Sequence, residues 1–232
     1  MGGEIVAIVA ARGGSKGIPK KNIMPIAGKP MIVYSLEAAA QAQHVDHVFV
    51  TTDCDEIASV CKDAGFQVPY RRPDSLASDD ATMLDTVLDA IDQVEKSGVN
   101  IGGYLLLQPT CPFRTAQHID QAITKWRQSE MDALVSVHEL REHPFDCITL
   151  DTNNDWQLML EAHEPRLRRQ DYKAGYYYIN GAIYLGRPQT LREQGKFLLE
   201  NQTAFYEMDY FSGIDIDDPI DLELANVYAH MK

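Results

Sequence analysis

The sequence lacks any apolar run long enough to span a membrane. It also lacks a basic, apolar leader: Met1-Gly2-Gly3-Glu4 passes straight into a strand-like stretch, so the expectation is a cytoplasmic protein with no membrane association. Its four cysteines, Cys54, Cys61, Cys111 and Cys147, show no Cys-x-x-Cys spacing and read as free thiols rather than a disulfide or zinc framework. Its seven histidines show no His-x-x-x-His spacing and read as structural or surface groups. Positive charge is scarce. Against 34 Asp and Glu stand 21 Lys and Arg, a net charge of -13, which excludes general binding of nucleic acid because such proteins need a broad basic face. No internal repeat, low-complexity tract or flexible linker divides the chain, so residues 1–232 read as a single domain.

What is present is an alternation of short apolar strands with helices. Strands are expected at residues 5–10, 47–52, 66–69, 104–108 and 133–138, and helices at 30–43, 55–64, 80–96 and 116–128. Asp79 or Asp80 is expected to cap the third helix. Strand, crossover helix, strand at this spacing gives an α/β fold with a mostly parallel sheet covered on both faces. After about residue 139 the pattern changes. Residues 145–150, 156–161 and 176–185 look like strands joined by polar turns, an antiparallel excursion from the core. The chain returns through a strand at 205–208 and ends in a helix at 218–230.

One stretch contradicts the acidic average. From Ile5 to Leu36 there is no acidic residue, while Arg12, Lys16, Lys20, Lys21 and Lys29 fall inside that window. Its centre is Ala11-Arg12-Gly13-Gly14-Ser15-Lys16-Gly17-Ile18-Pro19-Lys20-Lys21-Asn22, directly after the first strand. A glycine-rich cationic loop at the carboxyl end of a first strand is where an α/β protein binds a polyphosphate. It is neither a Walker A motif nor Gly-x-Gly-x-x-Gly, since Ser15 stands where the second glycine would be. Near the other end, Asp215 and Asp217 flank Ile216 in an extended segment. Residues two apart on a strand share a face, so two carboxylates converge, and a divalent cation, Mg²⁺ or Mn²⁺, would relieve their repulsion. Asp218-Pro219 with Asp221 reads instead as the cap of the last helix. Arg166, Arg168, Arg169 and Lys173 form a second basic cluster, suited to clamping a carboxylate.

The opening loop, followed by Gly28-Lys29-Pro30, closely resembles the acylneuraminate cytidylyltransferases, the CMP-sialic acid synthetases, and their legionaminic acid relatives. The resemblance runs on through Thr51-Thr52-Asp53, Arg72-Pro73-Asp74-Ser75-Leu76-Ala77-Ser78-Asp79, Leu107-Gln108-Pro109-Thr110-Cys111-Pro112-Phe113-Arg114, Arg168-Arg169-Gln170, Asn180-Gly181-Ala182-Ile183-Tyr184 and Asp215-Ile216-Asp217.

It implies a three-layer, Rossmann-like nucleotide-diphospho-sugar transferase fold with an antiparallel dimerisation arm at about residues 139–178. It implies transfer of CMP from CTP to the anomeric hydroxyl of an acidic nine-carbon α-keto acid sugar, releasing pyrophosphate. Pseudaminic acid or keto-deoxy-octulosonate as acceptor, or a non-catalytic nucleotide-binding protein, are the alternatives. On this reading Arg12, Lys21 and Asp217 are catalytic. Ala11, Arg12, Gly13, Gly14, Ser15, Lys16, Lys21, Asn22, Thr82 and Gln108 bind the nucleotide. Gln108, Thr110, Arg114, Arg169, Gln170, Asn180 and Tyr184 bind the sugar, and Asp215 and Asp217 hold the metal. The partner is a second copy of the chain, in a homodimer whose arms reach into each other's active sites.

Overall fold

The computed structural model describes residues 2–15, 17–160 and 175–231. Its elements run β1 (Glu4–Ala10), β2 (Pro25–Ile26), β3 (Lys29–Pro30), α1 (Met31–Gln41), β4 (His47–Thr51), α2 (Asp55–Asp63), α3 (Met83–Lys96) and β5 (Ile101–Leu106). They continue with α4 (Ala116–Gln128), β6 (Ala133–Glu139), β7 (Ile148–Leu150), β8 (Trp156–Leu158), β9 (Tyr177–Gly186), α5 (Pro188–Gln194), β10 (Thr203–Glu207) and α6 (Pro219–Met231). Six strands form the central sheet in the order β10-β6-β9-β5-β1-β4. All neighbours pair in parallel except β9, which runs antiparallel to both β5 and β6. The fold expectation, α/β with a mostly parallel sheet, is met.

The three layers follow from strand parity. Alternate side chains of a strand leave opposite faces. In β1, Ile5, Ala7 and Val9 join Leu36 of α1 and Ile119 and Ile123 of α4. Val6, Ile8 and Ala10 join Val87, Ile91 and Val94 of α3 on the other face. In β5, Leu105 takes the first core, and Tyr104 and Leu106 take the second. Each buried valine, leucine or isoleucine side chain among them contributes about 1.5–3 kcal/mol by burial. A strand apolar on both faces must sit between helices, and that fixes β1 in the middle layer, next to the edge strand β4, with its carboxyl end opening on the site.

Four expectations need correction. Residues 66–69 form no strand; only an isolated bridge joins Thr52 to Arg71. Pro69 cannot donate to a ladder there. The cap of α3 is Thr82, whose Oγ1 accepts from the Asp85 amide at 3.1 Å, so the helix begins at Met83 rather than at Asp80. Residues 176–185 do not belong to the excursion throughout, because β9 inserts into the central sheet. The excursion proper is the β7–β8 hairpin, two strands of three residues. Helix α5 was not expected, although Pro188 opens it and Gly195, in the left-handed conformation at φ 61°, closes it, the usual arrangement of these two residues. Among the described residues no helix is long and apolar enough to cross a membrane.

Candidate functional site

A cleft of about 460 Å³ opens at the carboxyl ends of β1 and β5, with the amino end of α3 as its third side. One wall is the glycine-rich loop. Arg12, Gly14, Ser15, Gly17, Lys21 and Asn22 line it. The loop is anchored from beneath. The Ala11 amide donates to the Thr51 carbonyl at 3.0 Å, and the Gly13 amide donates to Asp53 Oδ1 at 3.0 Å. Asn22 Nδ2 donates to the Arg12 carbonyl at 3.0 Å. Ala11 and Gly13 therefore hold the loop's root, and their amides are not free for a phosphate. Glycine at position 17 is forced by a close approach: a Cβ there would lie 2.6 Å from the carbonyl oxygen of Asp217. That contact brings the two sequence-distant motifs together.

The cations of this wall are neutralised by nearby carboxylates. Arg12 Nη1 pairs with Asp79 Oδ1 at 3.2 Å and also donates to the Ser78 carbonyl at 3.3 Å. Lys21 Nζ pairs with Asp217 Oδ1 at 2.8 Å, across a separation of 196 residues. Thr82, whose hydroxyl is spent on capping α3, lines the cleft beside Met83 and Thr86. Arg72, the first residue of the Arg72–Asp79 motif, belongs to the site although the sequence pattern assigns it no role. It is buried, lines the cleft, and pairs with Asp53 Oδ1 at 3.3 Å. Burial lowers its pKa and the Asp53 hydrogen bond opposes that. The signal that could have found it is Asp53 itself, an acid at the carboxyl end of a parallel strand next to the phosphate loop.

The other wall is the turn after β5. Gln108, Pro109 and Thr110 line the cleft. The Thr110 carbonyl accepts from the Ile216 amide at 2.9 Å, which docks the Asp215–Asp217 segment against the turn. Asp217 is exposed at the mouth, whereas Asp215 is largely enclosed. Asp215 Oδ1 is buried with no hydrogen-bond partner. Burial pushes the Asp215 pKa up; the Thr110 hydroxyl and Lys21 act against that and Asp217 adds to it. Beneath lies a bulge in β9. Gly181 stands there at φ 76°, and a Cβ on it would lie 3.5 Å from Gln108 Oε1 and 3.7 Å from Asp215 Oδ2. Tyr184 is partly buried on the same side; burial raises its pKa, with Cys111 and Asp215 adding to the effect.

Three expected sugar ligands, Tyr184, Asn180 and Arg114, do not line the cleft. Asn180 is buried; its Oδ1 accepts from Ser136 Oγ at 2.6 Å and the Ala182 amide at 3.1 Å. Arg114 is 2% exposed and its guanidinium donates to backbone carbonyls of the turn, so it lies behind the wall. Lys16, Arg166, Arg168, Arg169, Gln170 and Lys173 lie outside the described residues. Asp218 and Asp221 form the expected cap of α6: Asp218 Oδ1 accepts from the Asp221 amide at 3.0 Å, and Asp221 Oδ2 accepts from the Asp218 amide at 3.0 Å. Gly13-Gly14-Ser15-Lys16-Gly17 also spells Gly-x-Ser-x-Gly, the frame of a hydrolase nucleophile. Among the described residues no histidine lines the cleft to serve such a serine.

A mostly parallel sheet between two helix layers, with a cationic glycine loop facing a carboxylate pair across a cleft at the strands' carboxyl ends, is an α/β architecture suited to a phosphate-bearing ligand. The chain belongs to the cytidylyltransferase family, whose family model matches residues 6–228. It is 34% identical over 229 residues to the N-acylneuraminate cytidylyltransferase of Streptococcus agalactiae serotype III (strain NEM316), covering 97% of this chain and 53% of that one. This chain thus spans about half the length of the streptococcal relatives it matches. It is 32% identical over 222 residues to the CMP-N,N'-diacetyllegionaminic acid synthase of Legionella pneumophila, covering 96% of this chain and 94% of the relative. Among solved structures, CMP:2-keto-3-deoxy-manno-octonic acid synthetase complexed with CTP superposes with a TM-score of 0.72 at 21% identity, covering 99% of this chain and 100% of that one. That likeness is one of fold.

Proposed function

We propose that this protein transfers CMP from CTP to the anomeric hydroxyl of an acidic nine-carbon α-keto acid sugar of the sialic or legionaminic acid type, releasing pyrophosphate. The observation that carries the reading is the meeting of Lys21 with Asp217 beside Asp215, at the mouth of a cleft floored by the glycine loop, in a chain of this family. The legionaminic acid relative, matched along nearly its whole length, supports the acceptor class.

Arg12 and Lys21 would hold the triphosphate, with Lys21 nearest the α-phosphate and Asn22 supporting the loop beneath it. Substrate oxygen would attack phosphorus directly, so the protein's work is positioning and charge neutralisation. Gln108 and Thr110 would meet the sugar or ribose hydroxyls. The residues fit a divalent cation, Mg²⁺ or Mn²⁺. Asp215 presents a buried carboxylate oxygen without a partner, its burial disfavours the bare charge, and Asp217 stands beside it. Such an ion supplies charge against the triphosphate and acidity for the attacking hydroxyl. CTP is a cytoplasmic metabolite, so the reading puts the enzyme in the cytoplasm.

A homodimer completes the proposal. The hairpin and the start of β9 expose Leu150 (61%), Trp156 (62%), Met159 (63%) and Tyr178 (53%), an apolar patch that favours a partner surface. Arg168 and Arg169, on the segment between, would then meet the sugar carboxylate in the partner's site. The first test is pyrophosphate release from CTP with a panel of acidic sugars, N-acetylneuraminic, legionaminic and pseudaminic acids and keto-deoxy-octulosonate; no release with any of them overturns the reading. The second mixes inactive Lys21→Ala and Arg169→Ala subunits. Shared sites restore activity after exchange, and continued silence in verified mixed dimers excludes sharing.

A further inference from the structure

Arg114 poses a problem that the proposed chemistry does not absorb. A cation 2% exposed is costly to bury, and among the described residues its guanidinium forms no ion pair. Its Nη groups donate to the turn after β5, while its buried Nε has no hydrogen-bond partner among the described residues. Nη1 reaches the Cys111 carbonyl at 2.9 Å and Nη2 reaches the Gln108 carbonyl at 2.8 Å. Nη2 also donates to Ser35 Oγ of α1. Burial lowers its pKa to about 10, so it stays charged at neutral pH.

The turn held in this way is the one that forms the second wall. The Gln108 carbonyl also accepts from the Cys111 amide at 3.2 Å, and the Thr110 carbonyl takes the Ile216 amide at 2.9 Å. Ile216 sits between Asp215 and Asp217. A continuous set of contacts therefore runs from α1 through Arg114 and the turn to the carboxylate pair. We infer that Arg114 is a positioning residue: its planar fork clamps two carbonyls of the turn and so sets the register of Asp215 and Asp217 against the glycine loop. Lysine, with one ammonium, reaches one carbonyl but cannot fork both. The inference rests on the cytidylyltransferase reading for its kinetic consequences, while its structural consequence is independent of it.

The test compares Arg114→Met, Arg114→Lys and Ser35→Ala with wild type. Three quantities are read: amide hydrogen exchange without nucleotide, CTP affinity by calorimetry without acceptor, and kcat for pyrophosphate release with the best acceptor sugar. In Arg114→Met, exchange in peptides spanning residues 108–116 and 213–217 rises about tenfold while β1 and β5 peptides are unchanged. Its kcat falls about a hundredfold, the scale of a misplaced reacting group, with CTP affinity held within about threefold because Arg12 and Lys21 stand on the other wall. Arg114→Lys recovers part of the kcat, and Ser35→Ala shows the same pattern at a few-fold scale. Unchanged exchange in the two segments overturns the inference. So does loosening of β1 and β5 to the same extent, or CTP affinity lost in parallel with kcat, since each marks general destabilisation. If Arg114→Met does not fold, Ser35→Ala carries the decision. If wild type releases no pyrophosphate with any sugar, the enzymatic reading fails and the exchange data alone decide on Arg114.

Discussion

The cations of the loop wall, Arg12 and Lys21, are held by carboxylates exposed at the mouth of the cleft; the buried groups of the turn wall are tied to backbone or enclosed. Arg12 and Asp79 are 38% and 58% exposed in side chain, and Lys21, at 17%, is held by an Asp217 that is 74% exposed. Exposed pairs of this kind contribute about 0–1 kcal/mol and exchange partners readily. A triphosphate can therefore take Arg12 and Lys21 from their carboxylates at little cost. Asp215 and Arg114 are enclosed, and moving either means breaking a docked turn. The comparison teaches a division of labour: the loop wall supplies charge that changes partner, and the turn wall supplies geometry that does not change.

The sharpest way to break this comparison is Asp215→Asn. It should lower kcat about a thousandfold, measured by pyrophosphate release, because the enclosed carboxylate that would hold the divalent cation is lost. Its effect on stability should run the other way. Burial raises the folded-state pKa of Asp215 above its unfolded value, so ionising it costs stability once pH rises through that raised value. In metal-free buffer the asparagine variant should melt at or above the wild-type temperature at neutral pH, and the gap should close as pH falls through the carboxylate range. A lower melting temperature at neutral pH would mean that Asp215 is structural.

Next in size is Lys21→Ala, with kcat down about a hundredfold and CTP affinity much less affected, since Arg12 remains. Wild-type turnover would remove Lys21 from the chemistry. Arg12→Ala should chiefly weaken CTP, raising its KM about tenfold, as expected for one charge-assisted contact. A fall in kcat with unchanged KM would move Arg12 to the reacting phosphate. The smallest effect is Asp218→Ala, which should cost about 1 kcal/mol in thermal or denaturant unfolding and leave kcat alone, as a lost helix cap does. A kinetic defect without a melting shift would show that Asp218, not its neighbours, belongs to the site.

The parts of this division that depend on local pattern were legible in the sequence. Strand β1 and helix α4 were readable because both faces of a buried strand and the apolar stripe of a helix leave a period in the chain. The glycine loop and the Asp215–Asp217 pair were readable because their residue types are rare in combination. The capping role of Asp218 and Asp221 was readable from spacing. The cap of α3 was not, since Asp79, Asp80 and Thr82 are all competent, and tertiary contact decided it by drawing Asp79 to Arg12. Arg114 and Asn180 read as ligands because a polar side chain near a motif looks available; only the fold shows that the Arg114 Nη groups are committed to the turn and Asn180 Oδ1 to Ser136 and the Ala182 amide. Strand β9 was readable as a strand, but neither its direction nor its neighbours leave a trace in a period of two.

That strand has a consequence for how the protein is made. Strands β5 and β6 emerge from the ribosome before β9, yet they do not touch; β9 lies between them and pairs with both. Until Tyr177–Gly186 is synthesised, the nascent sheet is β4-β1-β5 with β5 as a bare edge, and β6 is a lone strand, because its other neighbour β10 also follows β9 in the chain. Such edges invite pairing with other chains. The nucleotide loop and the Gln108 turn would already have been translated, but the sheet beneath the turn would have no closing strand. A fragment ending at β6 is thus expected to aggregate rather than to bind nucleotide, and a chaperone that shields strand edges would matter most during the interval between β6 and β9.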